Sequence, residues 1–232
     1  MFILCSFMFR FLLLSLFIGT LALGQDLDSG CAEWANAGEC DKNPGYMTLN
    51  CQESCAQIAD ALMKQKAALL DGTTFFDLSA KDIDGNVVHF SKFKGMVTII
   101  VNVASYCGYT ESHYHQLVEL WHELRSTEAA TILAFPCNQF GGQEPGTNQE
   151  IKDFAESKGV TFEMMDKIAV NGPNTSDVYT FLKANAGPDA ITWNFATYFI
   201  VDPNGEVRSY SGVTPFDIKE TVLDLLGYGE EL

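Results

Sequence analysis

Cys107 stands in the stretch Asn102-Val-Ala-Ser-Tyr-Cys-Gly-Tyr-Thr110. The run before it, Met96–Val101, is apolar. The residues after it carry Leu117, Leu120, Trp121 and Leu124 at helical spacing. This pattern predicts a buried strand, a turn and a helix, with the cysteine at the helix start. Backbone N–H groups are unpaired there and the helix dipole favours an anion. In such a setting a thiol ionises to a nucleophilic thiolate. Position alone leaves a second reading open, a small buried thiol closing a strand. Two chemistries suit a cysteine so placed. Dithiol exchange needs a second cysteine three residues on, and that position is Thr110. Peroxide reduction needs one accessible thiolate, which attacks one oxygen, breaks the O–O bond and becomes sulfenic acid. It also needs N–H donors for the thiolate and for the departing oxygen.

The elements that must position this cysteine are legible in the periodicity. Residues 96–104 hold β-branched side chains at Val97, Thr98, Ile99, Ile100, Val101 and Val103. Such unbroken apolar character predicts a strand covered on both faces. A helix over 109–126 leads to a second buried strand, Thr131–Phe135, by a right-handed crossover. Upstream, Phe75–Ala80 and Val87–Phe90 flank Asp84-Gly85-Asn86, a hairpin signal. Downstream come a loop over 135–146, a helix over 147–158 and a short strand near 161–164. A helix over 175–185 follows, then a hairpin of Ala196–Val201 and Glu206–Tyr210, and a last helix over 215–226. This order predicts an α/β, thioredoxin-like fold over 73–228, with a central mixed sheet flanked by helices.

Charge and cysteine placement bound the rest. Among 232 residues, 30 are acidic and 14 basic, a net charge of −16. That argues against nucleic acid and anionic membrane surfaces as partners. Residues 1–24 are apolar apart from Arg10 and end in Ala22-Leu23-Gly24. They are expected to be a cleaved signal peptide, with an uncleaved anchor as the alternative. Cleavage leaves six of the seven cysteines, four of them crowded into Cys31–Cys55. So short a segment cannot build its own core and needs cross-links, which form in an oxidising compartment. Spacing alone leaves three pairings open. A metal site is disfavoured there because no histidine lies near. The four histidines, His113, His115 and His122 among them, predict no metal centre either. Residues 57–72 are rich in helix formers and read as a helical linker. Asn174-Thr175-Ser176 is a glycosylation sequon in a predicted loop.

Two resemblances add to this reading. Cys31-x-x-Trp34-Ala35-x-x-Gly38-Glu39-Cys40, Asn43-Pro44-x-Tyr46-Met47, Cys51 and Ser54-Cys55 resemble the ShK-type domain. That family carries six cysteines, and the outermost two, which pair with each other, are missing here. The resemblance implies a module over 25–56 with disulfides Cys31–Cys51 and Cys40–Cys55. Its role is either structural or the docking of a partner.

Further on stand Asn102-Val-Ala-Ser-x-Cys107-Gly-Tyr-Thr110, Phe135-Pro-Cys-Asn-Gln-Phe-Gly-x-Gln143-Glu-Pro-Gly146 and Trp193-Asn194-Phe195. Together they resemble the glutathione peroxidase family, in its cysteine form. The resemblance implies a peroxidase (EC 1.11.1.-) acting on hydrogen peroxide or organic hydroperoxides. It implies Cys107 as the peroxidatic residue, with Gln143, Trp193 and Asn194 as its polar companions. No cofactor is implied. The co-substrate would be a thiol reductant: glutathione, a thioredoxin-like protein or a disulfide isomerase. Many cysteine-type relatives carry a resolving cysteine where this chain has Ala155. That leaves Cys137 as a possible resolving residue, or an external thiol in its place. With only Arg125 and Arg208 remaining after signal removal, a glutathione clamp looks weak. The short segment Asn171–Trp193 lacks an insertion used for tetramer contacts, so a monomer is expected. The tail Gly229-Glu230-Glu231-Leu232 resembles a weak endoplasmic-reticulum retrieval signal. With the signal peptide, it places the protein in that lumen or outside the cell, like the small reticulum members of the family. The alternative function is a peroxide sensor or binding protein whose ShK-type module recruits a partner.

Overall fold

The computed structural model describes residues 24–228. The expected signal peptide, 1–24, lies outside the described residues apart from Gly24, and the expected retrieval tail, 229–232, lies wholly outside them. Among the described residues no helix is long and apolar enough to cross a membrane. The chain divides into two compact units after Ile58.

The first unit is helical. It holds α1 (Cys31–Asn36), α2 (Glu39–Lys42), α3 (Pro44–Asn50) and the start of α4 (Gln52–Leu69). Pro44 opens α3, where its missing N–H leaves no bond unmade. The buried apolar residues are few: Cys31, Ala35, Met47 and Cys51, with Cys40, Cys55 and Ile58 packed against them. Four of these seven are cysteines, so cross-links stand in for a core. The bridges are Cys31–Cys51 and Cys40–Cys55, the pairing the ShK resemblance implies.

In the second unit a hairpin, β1 (Ser79–Lys81) and β2 (Val87–His89), pairs antiparallel, with Ser79 opposite His89. Phe75–Asp77, expected to extend the first strand, is a 3-10 turn instead. The cause is a reciprocal cap. The Asp77 carboxylate accepts the Thr74 N–H at 2.8 Å and the Thr74 hydroxyl at 2.7 Å. The turn buries both Phe75 and Phe76. The main sheet contains β3 (Val97–Val103), β4 (Ala130–Pro136), β5 (Glu163–Met164), β6 (Thr197–Val201) and β7 (Val207–Ser211), in the order β5-β4-β3-β6-β7. Strands β3, β4 and β5 run parallel, while β6 lies antiparallel to β3 and to β7. This is the mixed sheet expected. The last helix is shorter than its sequence pattern, because Asp217 accepts the Thr214 N–H and hydroxyl and holds a turn ahead of it.

Strand alternation sorts the side chains into two cores. Val97, Ile99, Val101 and Val103 of β3 and Ala130, Ile132 and Ala134 of β4 face one side. There α5 (Thr110–Leu124) brings Leu117, Leu120 and Leu124. From the same side α6 (Asn148–Ser157) brings Ile151 and Ala155, and α8 (Lys219–Leu225) brings Val222. Ile100, Leu133 and Phe135 face the other side, against the hairpin and Val178, Phe181 and Leu182 of α7 (Asp177–Ala186). All seven residues of β3 are buried, so the turn that follows rests on the fully enclosed central strand of the sheet.

The first unit's dependence on its bridges can be tested. Bridges closing loops of this length are worth roughly 3 kcal/mol each. Replacing Cys31 and Cys51 by serine should open residues 25–58 to protease. The fragment from Ala59 onward should stay resistant, as read by limited proteolysis and mass spectrometry.

Candidate active site

Cys107 lies on the turn between β3 and α5, 8% exposed. Its surroundings are set by Thr110, the residue standing where a dithiol pair would have its second cysteine. The Thr110 hydroxyl accepts the Cys107 N–H at 3.0 Å and donates to the Ala104 carbonyl at 2.6 Å. The Thr110 N–H in turn donates to the Cys107 carbonyl at 3.1 Å. Three bonds through one side chain and its backbone fix the turn. The Tyr109 N–H, at the open end of α5, points to the Cys107 sulfur at 3.5 Å. This is the helix-start N–H environment that the position predicts.

A second loop carries Gln143. Gly141 and Gly142 have φ values of +61° and +64°, a conformation a side chain seldom adopts. A Cβ on Gly141 would meet Gln143 Cγ at 3.7 Å and the Trp193 ring at 3.8 Å, ordinary contact distances, so it is the backbone and not crowding that calls for glycine. The Gln143 carbonyl accepts the Tyr106 N–H at 3.0 Å, which ties this loop to the cysteine turn.

Trp193 and Asn194 precede β6. The Asn194 amide nitrogen donates to Gln143 Oε1 at 3.3 Å, and its oxygen accepts from Asn102 Nδ2 at 3.0 Å. Asn102 Nδ2 also reaches the Trp193 carbonyl at 3.2 Å, and the Asn102 carbonyl accepts the Phe195 N–H at 2.8 Å. Phe195 is held at φ +62°, a strained state worth roughly 1–3 kcal/mol. The turn it makes keeps its own ring buried while Asn194 faces Gln143. Trp193 is 38% exposed, its ring 5.8 Å from Phe140. The structure thus gathers Gln143, Trp193 and Asn194, with the Gln143 loop bound to the Cys107 turn and the Trp193–Asn194 segment bound to Asn102 of β3. Asn102 was missed as a site residue in the sequence; its signal is a polar amide inside an apolar strand.

Cys137 is elsewhere. It follows β4 with the parity of Phe135 and packs in the core on the far side of the sheet from Cys107. Its sulfur lies 3.8 Å from Gln139 Oε1, and burial pushes its thiol up from the ordinary value. Asn174, the sequon residue, is exposed on a turn. His113 is buried, with Nδ1 2.7 Å from the Tyr198 hydroxyl. Among the described residues no group of three or more His, Cys, Asp or Glu is arranged to hold a metal.

Glu144, next to Gln143, is fully buried. Ser105 lies beside it and favours its ionised form, yet neither carboxylate oxygen meets a donor in hydrogen-bonding geometry. Burial is the larger effect and raises the carboxyl above its ordinary value.

A single thiol at the strand–helix turn of such a sheet, with amide donors on neighbouring loops, defines the class of thioredoxin-like thiol proteins. Comparison with known proteins narrows it. The family described as Glutathione peroxidase matches residues 75–183, and that described as ShK domain-like matches 25–57. Phospholipid hydroperoxide glutathione peroxidase 1, chloroplastic, of Arabidopsis thaliana is 48% identical over 159 residues. The match covers 66% of this chain and 66% of that protein, just under two thirds of its length. Glutathione peroxidase 1 of Helianthus annuus is 45% identical, over 66% of this chain and 95% of that one. The crystal structure of T. cruzi GPX1 superposes with a TM-score of 0.55 at 34% identity, covering 67% of this chain and 97% of that one. The apo crystal structure of Trgpx gives 0.56 at 30%, over 68% and 97%. The chain belongs to the glutathione peroxidase family, an enzyme family of peroxidases.

Two substitutions test the site's framework. Asn102→Ala removes the amide that holds Asn194, and should cost about 1–3 kcal/mol of stability in denaturant titration. For Glu144 the sign follows from its raised value. The folded state binds the proton more tightly than the unfolded one, so stability falls as pH rises from the ordinary carboxylate range through the raised value. Glu144→Gln should therefore be more stable than the parent at pH 8, with the difference shrinking towards pH 4. Equal differences at both pH values would contradict this.

Proposed function

We propose that this chain is a thiol peroxidase reducing hydrogen peroxide or organic hydroperoxides through Cys107. The carrying observation is the lone cysteine at the α5 start, with Thr110 clasping it and the Gln143–Asn194 amide pair tied to its turn. In the first step the Cys107 thiolate attacks one peroxide oxygen. The S–O bond forms, the O–O bond breaks, and the departing oxygen takes a proton and leaves as water or an alcohol. Sulfur is oxidised by two electrons to sulfenic acid. Gln143, Trp193 and Asn194 supply N–H groups towards the developing charge. In the second step a reductant thiol attacks the sulfenic sulfur and releases water, leaving a mixed disulfide. A further thiol then frees the Cys107 thiolate and departs as a disulfide. No cofactor takes part.

The placement of Cys137 favours an external thiol over internal resolution. A Cys107–Cys137 bond would have to cross the sheet, through the buried pair β3 and β4. Glutathione, a thioredoxin-like protein and a disulfide isomerase are the reductants in view. The printed names of several relatives include phospholipid hydroperoxide, which supports organic hydroperoxides among the substrates. Two disulfides in the first unit support an oxidising compartment. With the sequence at both termini, they support the endoplasmic-reticulum lumen or secretion, and the protein is proposed to act as a monomer.

Cys107→Ser should lower peroxide consumption at least about a thousandfold, and Gln143→Ala or Asn194→Ala about a hundredfold. Undiminished turnover by Cys107→Ser would overturn the assignment. After one equivalent of peroxide, intact-mass analysis should show one added oxygen on Cys107, passing to a mixed disulfide when a thiol is added. A Cys107–Cys137 disulfide would overturn external resolution.

A further inference from the structure

The first unit carries a groove that peroxide chemistry does not use. Its volume is about 390 Å³, and it is lined by Trp34, Ala37, Glu39, Asn43, Tyr46 and Met47. Two large aromatics in so small a unit would be expected to fill its core. Instead Trp34 is 36% and Tyr46 39% exposed. They meet edge to face at 5.8 Å and 76°, which leaves ring surface open to the groove. The Tyr46 hydroxyl donates to Asp28 at 3.2 Å, which brings a carboxylate to the far side of that ring. Glu39 adds a second carboxylate in the lining.

The charge around the groove points one way. Residues 25–58 hold six acidic side chains and a single basic one, Lys42, within a chain of net charge −16. Aromatic faces attract cations within about 6 Å, and carboxylates strengthen that attraction. The groove's edge already takes an ammonium from its own chain. Lys42 Nζ donates to the Ala37 carbonyl at 2.7 Å and lies 3.7 Å from Glu39. That side chain is 65% exposed and is held at the surface rather than buried. An incoming cation would reach the same acceptors by displacing this exposed ammonium. Anionic partners meet repulsion instead.

We propose that the Trp34–Tyr46 groove docks a lysine- or arginine-bearing segment of a basic partner protein. The cationic head sits against the aromatic faces and Glu39, and its aliphatic stem lies along Met47 and Ala37. This inference rests on the first unit alone and is independent of the chemistry at Cys107.

The test titrates the purified protein with a short lysine- and arginine-rich peptide and with the same peptide carrying glutamate at those positions. Binding is followed by NMR of the tryptophan indole and tyrosine ring signals and by calorimetry. The basic peptide should shift the Trp34 and Tyr46 signals saturably, and the acidic one should not. Trp34→Ala should weaken binding at least about fivefold. Glu39→Lys, at a partly exposed position, should weaken it as well and guards against a folding defect in the first variant. Cys107→Ser should bind as the parent does, so a failure of the peroxidase reading and a failure of docking remain distinguishable. Absence of Trp34 shifts at millimolar peptide would overturn the proposal. So would binding that both groove variants leave unchanged, since that result assigns the attraction to overall charge.

Discussion

The buried amide of Asn102 is the interaction on which the site depends. It sits near the end of β3, in a strand with no exposed residue. An amide there must find partners or cost the fold its desolvation. Asn102 meets half of that demand: its amide nitrogen reaches across to the segment before β6, where it holds Asn194 and the Trp193 carbonyl, while its Oδ1 stays buried and unpaired. The central strand thus fixes two loops at once. Its backbone leads directly into the cysteine turn, and its side chain sets the donors from the far loop. The glycines at 141 and 142 complete the arrangement by allowing the left-handed backbone that leads into Gln143. Positional accuracy at the thiol is inherited from the sheet.

The chemistry was more legible in the sequence than its supports. Cys107, Thr110, Gln143, Trp193 and Asn194 stand in motifs whose residue types speak directly of nucleophile and N–H donors. The sheet strands were visible because uninterrupted Val and Ile have few other homes. Phe75–Asp77 misled because aromatic residues favour strands, while the local Thr74–Asp77 cap decided the backbone. Asn102 could be read as a motif letter but not as a hub, since its partners lie 91 and 92 residues away. Glu144 gave no sign of burial, because a charged residue in a Gly- and Pro-rich loop ordinarily faces water. In the first unit, cysteine spacing left the pairing open and only the family likeness chose between the alternatives. Its helices were hidden by their shortness, since α2 spans four residues.

The two units solve stability in different ways. The second buries aromatic and branched side chains on both faces of a five-stranded sheet. The first has little to bury, and its bridges carry the load that a core would otherwise bear. One consequence is that its aromatic residues are free to serve the surface. Trp34 and Tyr46 need not fill an interior that the sulfurs already close.

The sheet also keeps Cys107 and Cys137 in separate cores. A protein with neighbouring thiols can bank an oxidising equivalent as an internal disulfide and spend it later. In the cycle proposed above the equivalent stays on one sulfur as a short-lived acid. In the proposed cycle the lifetime of that state is set by how soon a thiol arrives from outside. A molecule working that way keeps no record of past peroxide, and its oxidised fraction at any moment measures peroxide supply against the surrounding thiol pool.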